Sequence, residues 1–331
     1  VAFEDKNDDL KVLDVATGQE AVVSTSREGI RDFAWSPDGR WLCFAQAAPN
    51  TFTRLWLYEL ATGARTAITS DRTNSRTPAF SPDGEWLYFL SDRALRSSVS
   101  SPWGPRQPEP NSHTPIEASQ DALQDGLRPT FWPEDELSRA AEKEEGDAEK
   151  DGPEKKGDEE KDDTEPSLPA IETDGIETRV WRVPVAAGNY SQLRVTKDAL
   201  FMLSRGADAT DLVALTIEAD ARPEVVASKV RAYDLTRDRK KLLVRTSAFH
   251  VVPAKPGKAK LDDDAKVDLS GWSFPISLRE DYRQLFVDAW RLERDYFYDP
   301  GMHGLDWEAV RDKYLPLVDR VTTRDELSHL I

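Results

Sequence analysis

The chain has 331 residues, 39% of them hydrophobic, with 44 basic and 61 acidic side chains and a net charge of −17. This length points to two domains, and the acidic balance argues against a nucleic-acid partner. No apolar run approaches the roughly 18 residues that a membrane helix needs, and a lone cysteine, Cys43, excludes an internal disulfide.

In chain order, residues 12–18 (Val-Leu-Asp-Val-Ala-Thr-Gly) read as a strand running into a hairpin, where Gly18 supplies the turn. Residues 32–46 then hold Trp35, the turn Ser36-Pro37-Asp38-Gly39 and the strand Trp41-Leu42-Cys43-Phe44. Pro presets φ for the first turn position, Asp bonds its own backbone, and Gly takes the φ > 0 place. Both phrases recur forty-five residues on. Residues 57–63 end in Ala61-Thr62-Gly63, and residues 77–91 hold Phe80, Ser81-Pro82-Asp83-Gly84 and Trp86-Leu87-Tyr88-Phe89. A period near 40–45 residues marks the four-stranded blade of a β-propeller. The strands after the turns are apolar throughout, as strands buried on both faces are. Cys43 lies in such a strand and reads as a small buried hydrophobe.

The period then breaks. Trp56 follows Ser36 by twenty residues, whereas Trp181, in the similar phrase 178–188, follows Ser81 by one hundred. The spacing predicts about eighty residues inserted between two neighbouring strands of one blade, at about 94–175. The first part, 94–133, is rich in Pro and Trp and is expected to be ordered but irregular. Residues 134–165 carry sixteen acids, six bases and no aromatic residue. Such a stretch buries too little apolar area to offset its ordering entropy and is expected to be disordered. A weaker copy of the blade phrase follows at 233–245, with Thr236 and Asp238 in the Ser and Asp places but without Pro and Gly. About three blades are legible, too few to close a ring of the usual 4–8. The region 1–266 is therefore expected to be the C-terminal blades of a propeller. With no initiator Met, both ends are expected to be cut, and a lost signal peptide is one option.

From residue 267 the character changes to a linker and the start of a helical domain, 267–331. Leu285, Ala289, Leu292 and Tyr296 recur at i, i+4, i+7 and i+11, thickened by Phe286, Trp290 and Phe297. Asp299-Pro300-Gly301 stops that helix. A second starts at Asp306 as N-cap, followed by Trp307, Val310, Tyr314 and Leu317, and a third at Thr323 with Glu326 completing a capping box. The expected fold class is thus mainly β, a partial propeller followed by a small helical segment.

Chemistry is harder to find. His113, His250, His303 and His329 have no metal-ligand spacing and no Cys partner. A phosphate-binding glycine loop and a Gly-x-Ser-x-Gly elbow are both missing. His303 reads as a loop-packing residue. Ser328 and His329 are neighbours on a helix and do not face each other. No catalytic residue, cofactor site or metal site is therefore assigned.

Residues 267–274 (Val-Asp-Leu-Ser-Gly-Trp-Ser-Phe), the helix 278–299 ending Asp-Tyr-Phe-Tyr-Asp, the phrase Met302-His303-Gly304-Leu305-Asp306-Trp307 and residues 324–331 together resemble the tricorn-type serine peptidases, relatives of the tail-specific peptidases of family S41. The blades match that family's propellers, so the resemblance covers essentially the whole chain. It implies a large homo-oligomeric peptidase of the cytoplasm, with a periplasmic setting as the alternative. Its propellers gate or channel peptide substrates, and no cofactor, nucleic acid or membrane is involved. The family's catalytic histidine, nucleophilic serine and oxyanion-hole residue are expected after Ile331, and His329 sits too early to be that histidine. Two alternatives use similar blades: a TolB-type binding propeller, and the propeller cap of a prolyl-oligopeptidase-type hydrolase.

Overall fold

The computed structural model describes residues 1–26, 28–94, 116–133 and 168–331. It divides into two units, Val1–Val267 and Asp268–Ile331. The first unit is five antiparallel sheets, each a meander whose strand order follows the chain. Sheet one holds β1 (Ala2–Glu4), β2 (Asp9–Leu13) and β3 (Glu20–Thr25). Sheet two holds β4 (Ile30–Trp35), β5 (Trp41–Ala47), β6 (Thr53–Glu59) and β7 (Arg65–Ala67). Sheet three holds β8 (Ser75–Phe80), β9 (Trp86–Ser91), β10 (Glu117–Ala122) and β11 (Val180–Arg182). Sheet four holds β12 (Tyr190–Val195), β13 (Ala199–Arg205), β14 (Thr210–Thr216) and β15 (Glu224–Ala227). Sheet five holds β16 (Ala232–Leu235), β17 (Lys241–Arg245) and β18 (Phe249–Pro253). Among the described residues the sheets do not close a ring.

The two-residue period of a strand explains how sheets become blades. In β5, Leu42 and Phe44 face the first sheet and pack with Leu10, Val23 and Ile30. Cys43 and Ala45 face the third sheet and pack with Phe80, Leu87 and Phe89. In β9 the split repeats, with Leu87 and Phe89 on one side and Trp86, Tyr88 and Leu90 on the other, against Leu193, Leu200 and Met202. In β13, Leu200 and Met202 face back while Phe201 and Leu203 face the fifth sheet and meet Leu242 and Val244. Each middle strand thus serves two cores, which is why it must be apolar on both faces.

The Ser-Pro-Asp-Gly turns lock the first hairpin of a blade by one repeated set of bonds. Ser36 Oγ donates to Asp38 Oδ1 (2.5 Å) and accepts from Trp41 N (2.9 Å). Ser81 Oγ donates to Asp83 and accepts from Trp86 N (2.9 Å). Thr236 Oγ1 donates to Asp238 Oδ1 (2.6 Å) and accepts from Lys241 N (3.0 Å). The fourth sheet uses a shorter version, in which Thr196 Oγ1 accepts from Ala199 N (3.0 Å).

Three features differ from the sequence reading. Sheets one and four bring the blade count from three to five. Sheet four carries no legible copy of the phrase because its turn, Thr196-Lys197-Asp198, is shorter than the four-residue phrase and lacks Pro and Gly. Within the expected insertion of 94–175, residues 117–122 form β10, the third strand of its blade, and Trp181 lies in the fourth. This strand is Glu-Ala-Ser-Gln-Asp-Ala and is buried along its whole length, so no apolar pattern announced it. The acidic stretch 134–165 lies outside the described residues.

The second unit is α1 (Leu278–Tyr296), α2 (Trp307–Val318) and α3 (Arg324–Leu330). The predicted caps are present: Asp306 accepts from Ala309 N (3.0 Å), and Thr323 and Glu326 form the reciprocal capping box. Of the predicted stripe of α1, Phe286 and Trp290 are buried, together with Tyr282, and Tyr282 and Phe286 pack with Val318 and Leu327, whereas Leu292 and Tyr296 are exposed. The apolar stripe is wider than the contact it makes within this unit.

Candidate functional site

The first strands of sheets two to five run side by side, β8 lying between β4 and β12. Three of them carry a bulge at the same place, where Asp32, Thr77 and Gln192 take positive φ values of 52°, 50° and 53°. A bulge leaves backbone groups unpaired within the sheet, and here they bond the next blade. Thr77 N donates to Asp32 Oδ2 (3.3 Å), and the Tyr233 hydroxyl, which donates to Phe201 O (2.8 Å), also lies against Gln192 O. The bulges therefore register one inner strand against the next.

Beyond the bulges the four strands end around a cavity of about 330 Å³. Phe33 and Trp35 of β4, Pro78 and Phe80 of β8, Leu193 and Arg194 of β12, Asp234 of β16 and the turn residues Arg237 and Arg239 line it. One wall is aromatic and the other charged, with three guanidiniums against one carboxylate. Arg194 Nε lies 3.4 Å from Asp234 Oδ1, and Asp234 Oδ1 also accepts from Leu235 N (2.9 Å). Arg239 Nη1 donates to Phe80 O (3.0 Å) and Val195 O (3.3 Å), tying sheets three and four together from the fifth. Burial pushes its guanidinium pKa down, partly opposed by Asp83. Asp238 stays below the usual carboxylate range because Thr236 and the Lys240 N–H donate to it. Among the described residues Arg237 is exposed and no hydrogen bond or ion pair holds it.

The sequence carried a signal for this site in the copy at 233–245. There Arg237 and Arg239 stand where the sister turns have Pro37 and Gly39, or Pro82 and Gly84. In the sequence alone this exchange reads as decay of the repeat. In three dimensions it puts two guanidiniums at the cavity.

The described histidines come together nowhere. His250 is buried in β18, and its Nδ1 has no hydrogen-bond partner among the described residues. His329 Nδ1 lies 2.7 Å from Asp325 O, and Ser328 Oγ donates to Arg324 O (3.1 Å), so each bonds its own helix and not the other. His303 packs against Phe297 and Tyr298, with Nδ1 3.3 Å from Asp299 Oδ2 and Nε2 against the Tyr298 hydroxyl. His113 lies outside the described residues. Cys43 is fully buried, and burial pushes its thiol pKa well up, away from the reactive thiolate. Among the described residues no group of three or more His, Cys, Asp or Glu is placed to hold a metal ion, and no helix is long and apolar enough to cross a membrane.

Comparison with known proteins places these units. The Tricorn protease second beta propeller domain matches residues 1–252, and the Tricorn protease C1 domain matches residues 278–331. Tricorn protease homolog 1 of Streptomyces coelicolor is 29% identical over 180 residues, 49% of this chain and 17% of that protein. The Tricorn protease of Thermoplasma acidophilum is 28% identical over 99 residues, 29% of this chain and 9% of that protein. These matches span less than a fifth of either relative. The crystal structure of the tricorn protease superposes with a TM-score of 0.73 at 20% identity, over 98% of this chain and 30% of that one, and so has the same fold. The chain belongs to the tricorn protease family, whose second β-propeller and C1 domains it carries in that order.

Proposed function

We propose that this chain is the non-catalytic propeller and helical-entry part of a serine peptidase, and that its propeller passes peptides to an active site located outside residues 1–331. The observation that carries this reading over a TolB-type module or a hydrolase cap is the succession of propeller and C1 domain in one polypeptide. The chemistry of the chain agrees with it. Serine acyl transfer needs a nucleophile, a base within hydrogen-bond reach and donors for the oxyanion, and the described Ser and His side chains assemble no such set. The cavity at the inner strand ends suits passage or holding of a chain segment, since it joins an aromatic wall to a charged one. Assembly into a large homo-oligomer and a cytoplasmic setting go with this reading.

The test is direct. The purified 331-residue chain is expected to show no turnover of fluorogenic peptides and no labelling by a fluorophosphonate probe. Labelling of a serine in this chain, with turnover lost on its replacement by alanine, would place an active site within it and end the proposal.

A further inference from the structure

We propose that residues 171–180 are a strap over the core between sheets two and three, latched shut by the proton on Asp121, so that the strap loosens as pH rises. Three observations carry this. The first is how the strap is held. Ile176 is buried, Ile171 and Val180 are half-buried, and all three close over the core that holds Cys43, Leu87 and Phe89. The strap is tied to β10 through β11, a strand of three residues, and by single bonds such as Glu172 N to Leu123 O (2.8 Å) and Ala122 N to Arg179 O (3.1 Å). A short edge strand with so few ties belongs to the part of a fold that opens first.

The second observation is the polar set beneath it. Asp121 stands in β10 between Leu87 and Val180, fully buried, with both carboxylate oxygens unpartnered among the described residues. Arg179 is buried at the foot of the strap. Its Nη2 donates to Glu172 O and Asp174 O, and its Nη1 lies 3.9 Å from Glu172 Oε2. Arg93 approaches from beyond β9 and donates to Ser91 Oγ (3.1 Å), while the neighbouring Asp92 accepts from Asn74 N (2.7 Å). Glu117 shares the face of Asp121 in β10, but it is paired with Arg182 (2.9 Å). Cys43 of β5 completes the set, and the Asp121 charge adds to burial in raising its thiol pKa.

The third observation is what each protonation state of Asp121 costs. A neutral carboxyl is tolerated in such a place far better than a carboxylate without hydrogen bonds. Burial pushes the Asp121 pKa up from 3.8 to about 8, against the pull of Arg179 and Arg93. Lifting the strap returns water to the group and with it the ordinary pKa. The shut state is therefore favoured fully below 3.8 and loses its advantage as pH climbs towards 8. In that window the open fraction rises about tenfold per pH unit.

Cys43, the single cysteine of the chain, lies in the core under the strap and reports its opening. The full chain is labelled with dithiodipyridine at about pH 5, 6 and 7. Each rate is compared with that of the urea-unfolded chain at the same pH, which removes the titration of the thiol itself. The protection of Cys43 is expected to fall about tenfold per pH unit. In Asp121→Asn it is expected to be independent of pH. Ile176→Ala, which loosens the strap without touching the acid, is expected to lower protection by a similar factor at every pH and to keep the slope, and Glu117→Gln is expected to keep the slope as well. Low urea separates local opening from global unfolding, since a local event exposes little surface and is expected to respond far less than the global m-value. Protection that ignores pH in the parent chain overturns the latch, as does a slope that survives Asp121→Asn. Labelling that follows the full global m-value means that Cys43 is reached only by complete unfolding, and overturns the strap.

Discussion

The propeller and the helical unit are held together in different ways. In the propeller each middle strand divides its side chains between two cores, so packing is spread over four wedges, and one turn chemistry is used three times in full and once in a shorter form. In the helical unit the buried cluster is small, and a buried residue outside it, Trp290, ties two of the helices together. Trp290 Nε1 donates to Trp307 O (2.8 Å) while Trp307 Nε1 donates to Trp290 O (3.0 Å), a reciprocal pair joining α1 to α2. Arg294 and Arg311 lie 4.9 Å and 4.8 Å from the Trp290 ring, in the range of cation–π attraction. A distributed fold tolerates the loss of any one contact, whereas a focal one does not. The sharpest way to break the comparison is Trp290→Ala. Removal of a buried Trp costs about 3–5 kcal/mol, which is of the order of the whole stability of a domain this small. The helical signal is expected to vanish at a temperature where the β-sheet signal is unchanged. Loss of under about 1 kcal/mol would show that the unit is not focal.

The propeller has its own exception, the buried strand β10. Asp121 is fully buried there, and neither carboxylate oxygen has a hydrogen-bond partner among the described residues. Burial pushes its pKa up from 3.8 to about 8, opposed by the charges of Arg179 and Arg93. In the folded chain the carboxyl keeps its proton up to about pH 8, whereas in the unfolded chain it releases it near 3.8. Between those values the unfolded chain binds fewer protons, so stability falls as pH rises. The slope from this group is at most about 1.4 kcal/mol per pH unit. Urea denaturation at pH 5, 6 and 7 is expected to show this fall, and Asp121→Asn to flatten it and to raise stability at pH 7. An unchanged slope in the variant would mean that Arg179 and Arg93 hold the carboxylate charged.

What was legible in the sequence follows from the same contrast. The blades around Ser36 and Ser81 were readable because the turn needs Ser, Pro, Asp and Gly each for a separate reason, and because a strand serving two cores is apolar throughout. The helices were readable at their ends, where Asp306 and Thr323 cap orphan N–H groups. Strand β10 was not readable, since Glu117, Ser119, Gln120 and Asp121 are buried by pairing and protonation rather than by apolar character. Glu117 lies 2.9 Å from Arg182, and Gln120 accepts from Thr130 (2.6 Å). The stripe of α1 reads wider than the face it buries for another reason. Leu292 and Tyr296 fit the period as well as Phe286 does, and only tertiary contact distinguishes them. The cavity was the least legible feature, because its arginines come from a repeat that departs from its own pattern.

That departure allows the finest test of the comparison between turns. Arg239 occupies the left-handed position that Gly39 and Gly84 fill elsewhere, and it gains two carbonyl partners in return. Arg239→Ala and Arg239→Gly both lose those bonds, but only glycine relieves the backbone. The glycine variant is therefore expected to be more stable than the alanine variant by about 1 kcal/mol, read from paired urea midpoints at constant m. If the two are equal, the turn is not strained and the exchange of Gly for Arg carries no conformational cost. The comparison with the parent chain then apportions the arginine's role. Loss of a charged donor from two carbonyls is worth about 1–3 kcal/mol, so a glycine variant below the parent makes Arg239 a tie between sheets. A glycine variant as stable as the parent means that the tie offsets only the strain, and what the arginine then adds is its charge at the cavity.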